Sequence, residues 1–307
     1  MAVSVDYARQ VLAIHRAELL KIPYVSSVSV SVLNGDGVIL VFLTQAGATV
    51  PNYLDGVRVV PRVVGNIQPM IANTARYRPV MGGISIGNPD IGAGTLGSII
   101  YLNGEPYIGS NLHVLGSYAR AKRGIPTLQP GIIDGGEDPA DVIANLSWWQ
   151  KVGGNNLIDF ALAKPLDPSL VENKILGIDG YEVFPAVPQI GDTVQKSGRT
   201  TGLTTGQVTA TDASCKIAGA DIAFHDVILV EGSEPLCQPG DSGSSVIRNH
   251  DLVGFLFAGP TDPPFNYYFA CKAMNVESAL TRQGTNLQWA LPLGVALAVL
   301  GLVAVLR

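Results

Sequence analysis

Five consecutive residues, Gly240-Asp241-Ser242-Gly243-Ser244, set a hydroxyl nucleophile beside backbone able to hold an oxyanion. Glycine at 240 removes the side chain where an N–H must approach a substrate carbonyl. The N–H groups of Gly240 and Ser242 can then converge on one developing negative charge. A serine hydroxyl is a weak nucleophile and needs an adjacent base. Without such a base the string fits an ordinary polar Gly-rich turn.

The chain has four histidines. His15 lies in an apparent helix, and His225 and His250 sit in unremarkable strand or turn contexts. His113 follows an apolar strand, Tyr107-Ile108-Gly109-Ser110, in a turn that would present an imidazole. The carboxylate candidate is Asp159, within Leu157-Ile158-Asp159-Phe160-Ala161-Leu162. An acid in such an apolar strand is costly unless hydrogen-bonded, and a histidine Nδ1–H is one suitable donor. An ordinary turn aspartate is the plainer alternative.

Taken together, these strings resemble serine peptidases of the trypsin/chymotrypsin fold, and more closely the bacterial and phage members with an extra N-terminal domain. The resemblance covers roughly residues 80–280. It is carried by AGTLGSIIYLNGEPYIGSNLHVLG (93–116), QPGIIDGG (129–136), IDFALAK (158–164), VQKSGRTTGLTTGQV (194–208) and QPGDSGSSVI (238–247). It implies His113, Asp159 and Ser242 as catalytic residues and the N–H groups of Gly240 and Ser242 as the oxyanion hole. It puts the base of the primary specificity pocket at Leu236, with Phe257, Ala258 and Gly259 as one wall. Members that cleave after Lys or Arg carry Asp at the base, so Leu236 points to apolar or small side chains. In secreted members a new N-terminus pairs with the Asp beside the nucleophile. No processing site stands before the peptidase region here, so Asp241 is expected to be satisfied internally.

Composition bounds the remaining possibilities. The 307 residues carry 47% hydrophobic and only 15% charged residues, with 35 Gly and 20 Pro. Gly/Pro turns at short spacing favour many short strands. A net charge of −5 gives no basic footprint, so nucleic acid is not an expected partner. The three cysteines, Cys215, Cys237 and Cys271, imply no disulfide scaffold. No Cys/His cluster has metal-site spacing, and no cofactor is expected. Asp134, Glu137, Asp138 and Asp141 share a loop that reads as a solvated acidic surface rather than an EF-hand-like calcium site.

The predicted fold is mainly β. It is a two-barrel chymotrypsin-like peptidase, preceded by a small α+β domain (1–79) and occupying 80–284, with an apolar C-terminal helix (285–307). In the first part, residues 5–21 have helical apolar spacing and 25–33 alternate with period two. Asn34-Gly35-Asp36-Gly37 then turns the chain into a returning strand, 38–44. The segment 68–80 reads as a linker, and KAMNVESALTRQ (272–283) as a helix. The start lacks a signal-peptide h-region. The run 289–306, WALPLGVALAVLGLVAVL, is uncharged and suggests a membrane anchor with the catalytic body in the cytoplasm. Burial against the body or in an oligomer is the alternative.

Overall fold

The structure, a computed structural model, describes residues 3–65, 73–180, 184–282 and the backbone of 287–288. The chain divides into two compact units, Met1–Met70 and Ile71–Arg307.

In the first unit, α1 (Val5–Leu19) is capped by Ser4, whose side chain accepts the Tyr7 N–H. Its buried stripe of Ala8, Val11, Leu12 and Leu19 packs on β1 (Val25–Leu33), β2 (Asp36–Leu43), β3 (Tyr53–Leu54) and β4 (Val57–Val63). The sheet order is β1-β2-β4-β3. Asn34-Gly35 is the two-residue turn that pairs Leu33 with Asp36, so β2 begins two residues earlier than the pattern suggested. β2 and β4 run parallel.

The second unit holds the two halves of the resemblance. The first half comprises β5 (Val80–Gly82), β6 (Ser85–Asn88), β7 (Ile91–Thr95), β8 (Ser98–Leu102), β9 (Glu105–Ser110), the one-turn α2 (Leu112–Leu115), β10 (Pro126–Leu128), β11 (Val142–Trp149), β12 (Ala161–Pro165) and β13 (Val171–Ile175). The second comprises β14 (Thr193–Gly198), β15 (Gly202–Lys216), β16 (Ala223–Glu231), β17 (Ser245–Arg248), β18 (Asp251–Ala258) and β19 (Tyr267–Lys272). α3 (Ala273–Thr281) and β20 (Leu287–Gln288) follow. The first half forms a long sheet, β20-β8-β9-β12-β11-β10-β6-β7, and β13 pairs with β5. The second closes on itself as β14-β15-β16-β19-β18-β17. Closure leaves no free edge, which suits strands as apolar as β16 and β18.

Each half has its own core. Ile84, Ile86, Leu96, Ile108 and Leu146 fill the first; Val194, Val208, Val230, Val246 and Tyr268 fill the second. A third cluster joins them, with Phe160 of the first half against Phe255 of the second at 4.7 Å between ring centroids. Aromatic contacts of this size dominate such seams. This one fixes the halves next to Asp159, the residue before Phe160.

One expectation changes in part. The acidic loop is only half solvated: Glu137 and Asp138 are exposed, but the Asp134 and Asp141 carboxylates are nearly shielded. Asp134 is bonded by Arg199, and Asp141, 5% exposed, pairs with Arg76 and Arg78. Charges this far from water need such partners. Among the described residues no group of His, Cys, Asp and Glu could hold a metal ion. The run 289–306 lies outside the described residues. Among the described ones no helix is long and apolar enough to cross a membrane.

Candidate active site

β9 ends at Ser110, and Asn111 starts the single turn α2 that carries His113. Asp159 sits in irregular backbone just before β12 rather than within a strand, and it is fully buried. The Asn111 side-chain amide donates to the Asp159 carbonyl at 2.8 Å, tying the two loops together. Asp159 Oδ1 accepts the Leu112 N–H at 2.8 Å. Its Oδ2 lies in close contact with His113 Nδ1 and also accepts the Tyr118 hydroxyl at 2.6 Å. A buried carboxylate with donors on both oxygens is the solved form of the burial problem that the sequence posed. The imidazole is 30% exposed, with Nδ1 committed and Nε2 left for the cleft.

The opposite wall comes from the second half. Gly240 and Gly243 both have positive φ, +102° and +97°. A Cβ on Gly240 would strike Thr200 Oγ1, and one on Gly243 would strike Ser110 Oγ and the Thr95 carbonyl. The turn therefore requires glycine at both places, in conformation and in space. Ser242 lies between them. Its carbonyl accepts the Thr95 N–H at 2.8 Å. Among the described residues, neither the Gly240 nor the Ser242 N–H has an intramolecular acceptor. Two unsatisfied N–H donors so close to a serine hydroxyl are what an oxyanion would need.

Asp241 faces inward and is fully buried. Oδ1 accepts from Thr200 N at 2.8 Å and Thr201 N at 3.0 Å; Oδ2 accepts from Gln238 N at 2.9 Å and Thr201 Oγ1 at 2.7 Å. Lys196 Nζ stands 3.6 Å from Oδ2, in a side chain that is also 0% exposed. Burial pushes the lysine below its usual range, and Asp241 pulls the other way. Four hydrogen bonds and an internal cation satisfy Asp241 without a chain terminus. The sequence reading missed Lys196. Its signal was parity: Val194 and Lys196 share the buried face of β14.

His113 and Ser242 line one cleft of about 730 Å³. No hydrogen bond joins them among the described residues, and such contacts commonly tighten only around substrate. Phe257, Ala258 and Gly259 border the cleft, together with Cys237, Gln238 and Tyr267. Leu236 does not. It is 1% exposed and packs in the core of the second half. The chain turns at Cys237, so the thiol, not the leucine, faces Gly259. A Cβ on Gly259 would lie 2.5 Å from Cys237 Sγ. Burial pushes this thiol up to about 12, so it stays neutral.

The second unit, with a closed β-barrel docked on a curled sheet and the cleft between them, has counterparts among solved structures. It matches a glutamic acid specific serine protease with a TM-score of 0.52 at 18% identity, over 67% of this chain and 98% of that one. It has the chymotrypsin-like two-barrel fold of bacterial serine proteases. Nocardiopsis protease gives a TM-score of 0.50 at 18% identity, over 68% and 98%. Thermobifida fusca protease A gives 0.50 at 15%, over 69% and 99%. By sequence, "Serine protease 2" of Streptomyces fradiae is 36% identical over 70 residues, 23% of this chain. The match spans 38% of that relative's length. No protein-family model matches the sequence.

Proposed function

We propose that this chain is a serine endopeptidase acting on protein or peptide substrates through His113, Asp159 and Ser242. The observation that carries the reading is the meeting, at one cleft, of a half-buried His113 held by a buried Asp159 and a serine with two unused N–H donors, its own and that of Gly240. The local sequence match to a serine protease and the shared fold support the same reaction class.

In this mechanism Ser242 Oγ attacks the scissile carbonyl while His113 Nε2 takes its proton. Asp159 keeps Nδ1 protonated and stabilises the imidazolium. The Gly240 and Ser242 N–H groups receive the oxyanion. His113 then protonates the leaving amine, and water resolves the acyl-enzyme by the same route. The walls formed by Phe257, Ala258, Gly259 and Cys237 carry no charge, so apolar side chains before the scissile bond are preferred: a buried Lys or Arg would lack a counter-charge. With Asp241 already satisfied, the uncut chain is competent.

Residues 289–306 are proposed to anchor the protein in a membrane, with the catalytic body on the cytoplasmic side. The support is the run's length and lack of charge. Carbonate extraction of full-length protein and of a version ending at residue 285 tests this. Extraction of both alike would end the anchor reading.

An active-site fluorophosphonate tests the enzyme reading. Wild type should be labelled at Ser242 and cleave an apolar peptide library; Ser242→Ala should do neither while melting like wild type. Cleavage by Ser242→Ala at a near wild-type rate would refute it.

A further inference from the structure

The turn after α2 brings Tyr118 over the reactive pair. Its hydroxyl donates to Asp159 Oδ2 at 2.6 Å, the same oxygen that meets His113 Nδ1, and lies 3.4 Å from Nδ1 itself. The ring meets the imidazole edge-on at 5.9 Å between centroids and is backed by Phe224 at 6.5 Å. Asp159 is inaccessible to solvent, so the phenol takes a position that water would hold in an open site.

We propose that Tyr118 is a positioning residue of the dyad. Its O–H fixes the orientation of Asp159 Oδ2 toward His113 and limits how tightly the carboxylate grips the imidazolium. This rests on the peptidase reading above. The other groups around the pair act differently. Leu112 N serves Oδ1, and Cys271 Sγ on β19 accepts the Asp159 N–H at 3.1 Å. Cys215 on β15 lines the cleft together with Tyr118, and Lys216 and Asp262 also border it. Burial drives the Cys271 and Cys215 thiols upward, so both stay neutral. Burial, with the charge of Asp159, likewise holds the phenol well above its ordinary range, so it remains a donor throughout the working pH range. Among these groups it is the one side-chain hydroxyl bonded to the oxygen that faces His113 Nδ1.

Tyr118→Phe keeps the ring and removes the donor. With one donor fewer, Asp159 Oδ2 holds the imidazolium more strongly and in a less defined direction. The rate constant for fluorophosphonate labelling of Ser242 should fall on the order of tenfold, the scale of one hydrogen bond to a charged group. The acid limb of its pH profile should move to higher pH, while KM for an apolar peptide changes less than kcat. A second readout is independent of Ser242: the downfield proton resonance of the His113 Nδ1–H should shift between wild type and variant. An unchanged resonance and acid limb overturn the proposal, including when the rate falls only because the variant melts lower. If wild type itself is not labelled, the peptidase reading fails, and the resonance alone decides the role of Tyr118.

Discussion

The Thr95 hydroxyl donates to the Gly240 carbonyl at 2.8 Å, across the seam between the two halves. The same oxygen accepts the Arg199 N–H at 2.9 Å, and the Thr95 N–H holds the Ser242 carbonyl. One threonine at the end of β7 thus grips the carbonyls of the two residues that flank Asp241. It links them to the Arg199–Thr201 turn, whose N–H groups hold the Asp241 carboxylate.

Thr95→Val should separate this clamp from the fold around it. The main-chain bond to Ser242 survives, but the Gly240 carbonyl and Arg199 N–H, both half-buried, lose their partner. A buried polar group left unpaired costs about 1–3 kcal/mol. Denaturant unfolding should show a loss in that range, with kcat lowered more than KM, and Thr95→Ser should restore both. Unchanged stability and kcat would mean the hydroxyl is idle.

Asp159→Asn should leave the loops packed while reversing the tautomer preference of His113. The drop expected in kcat is on the order of 10⁴, as for an amide at this place in the triad template. Stopped-time peptide cleavage at neutral pH measures it. A drop below tenfold would take Asp159 out of the mechanism.

The Asp134–Arg199 pair should give the protein a pH-dependent seam. Burial pushes the Asp134 carboxyl up, but hydrogen bonds from Arg199 and Ser85 outweigh it, and the net shift is downward. A carboxyl lowered in the folded state adds stability above its unfolded-state value, and that stability is lost as pH falls through the folded one. The melting temperature of wild type should therefore exceed that of Asp134→Asn at pH 7, and the gap should close as pH drops below about 4, the ordinary carboxylate value. A constant gap would show that the charge is not responsible.

Specificity should follow Cys237 and Gly259, not Leu236. Gly259→Ala puts a methyl against the Cys237 thiol and should narrow the accepted side chains toward smaller ones in a peptide library. Leu236→Asp buries an unpaired carboxyl in the core of the second half and should unfold the protein rather than recruit Arg substrates. A stable Leu236→Asp that cleaves after Arg would return Leu236 to the pocket.

The sequence by itself determined the chemistry and the local turns. Gly240 and Gly243 bracket a serine because only glycine fits that backbone, and this is written in residue type. Likewise, Asn34-Gly35 sets a hairpin and Ser4 starts a helix through bonds made within a few residues. Tertiary structure decided which side chains meet. Parity sets Lys196 on the face of Val194, but only barrel closure turns that face of β14 toward Asp241. Tyr118 reads as a loop aromatic until β16 brings Phe224 beneath it and aims its hydroxyl at Asp159. Leu236 and Cys237 are neighbours of similar apolarity. Which one lines the cleft depends on backbone direction at the end of a long loop, set by the Leu236 N–H bond to the Phe265 carbonyl. Contacts between residues tens of positions apart are fixed by strand register and closure, and no local pattern encodes them.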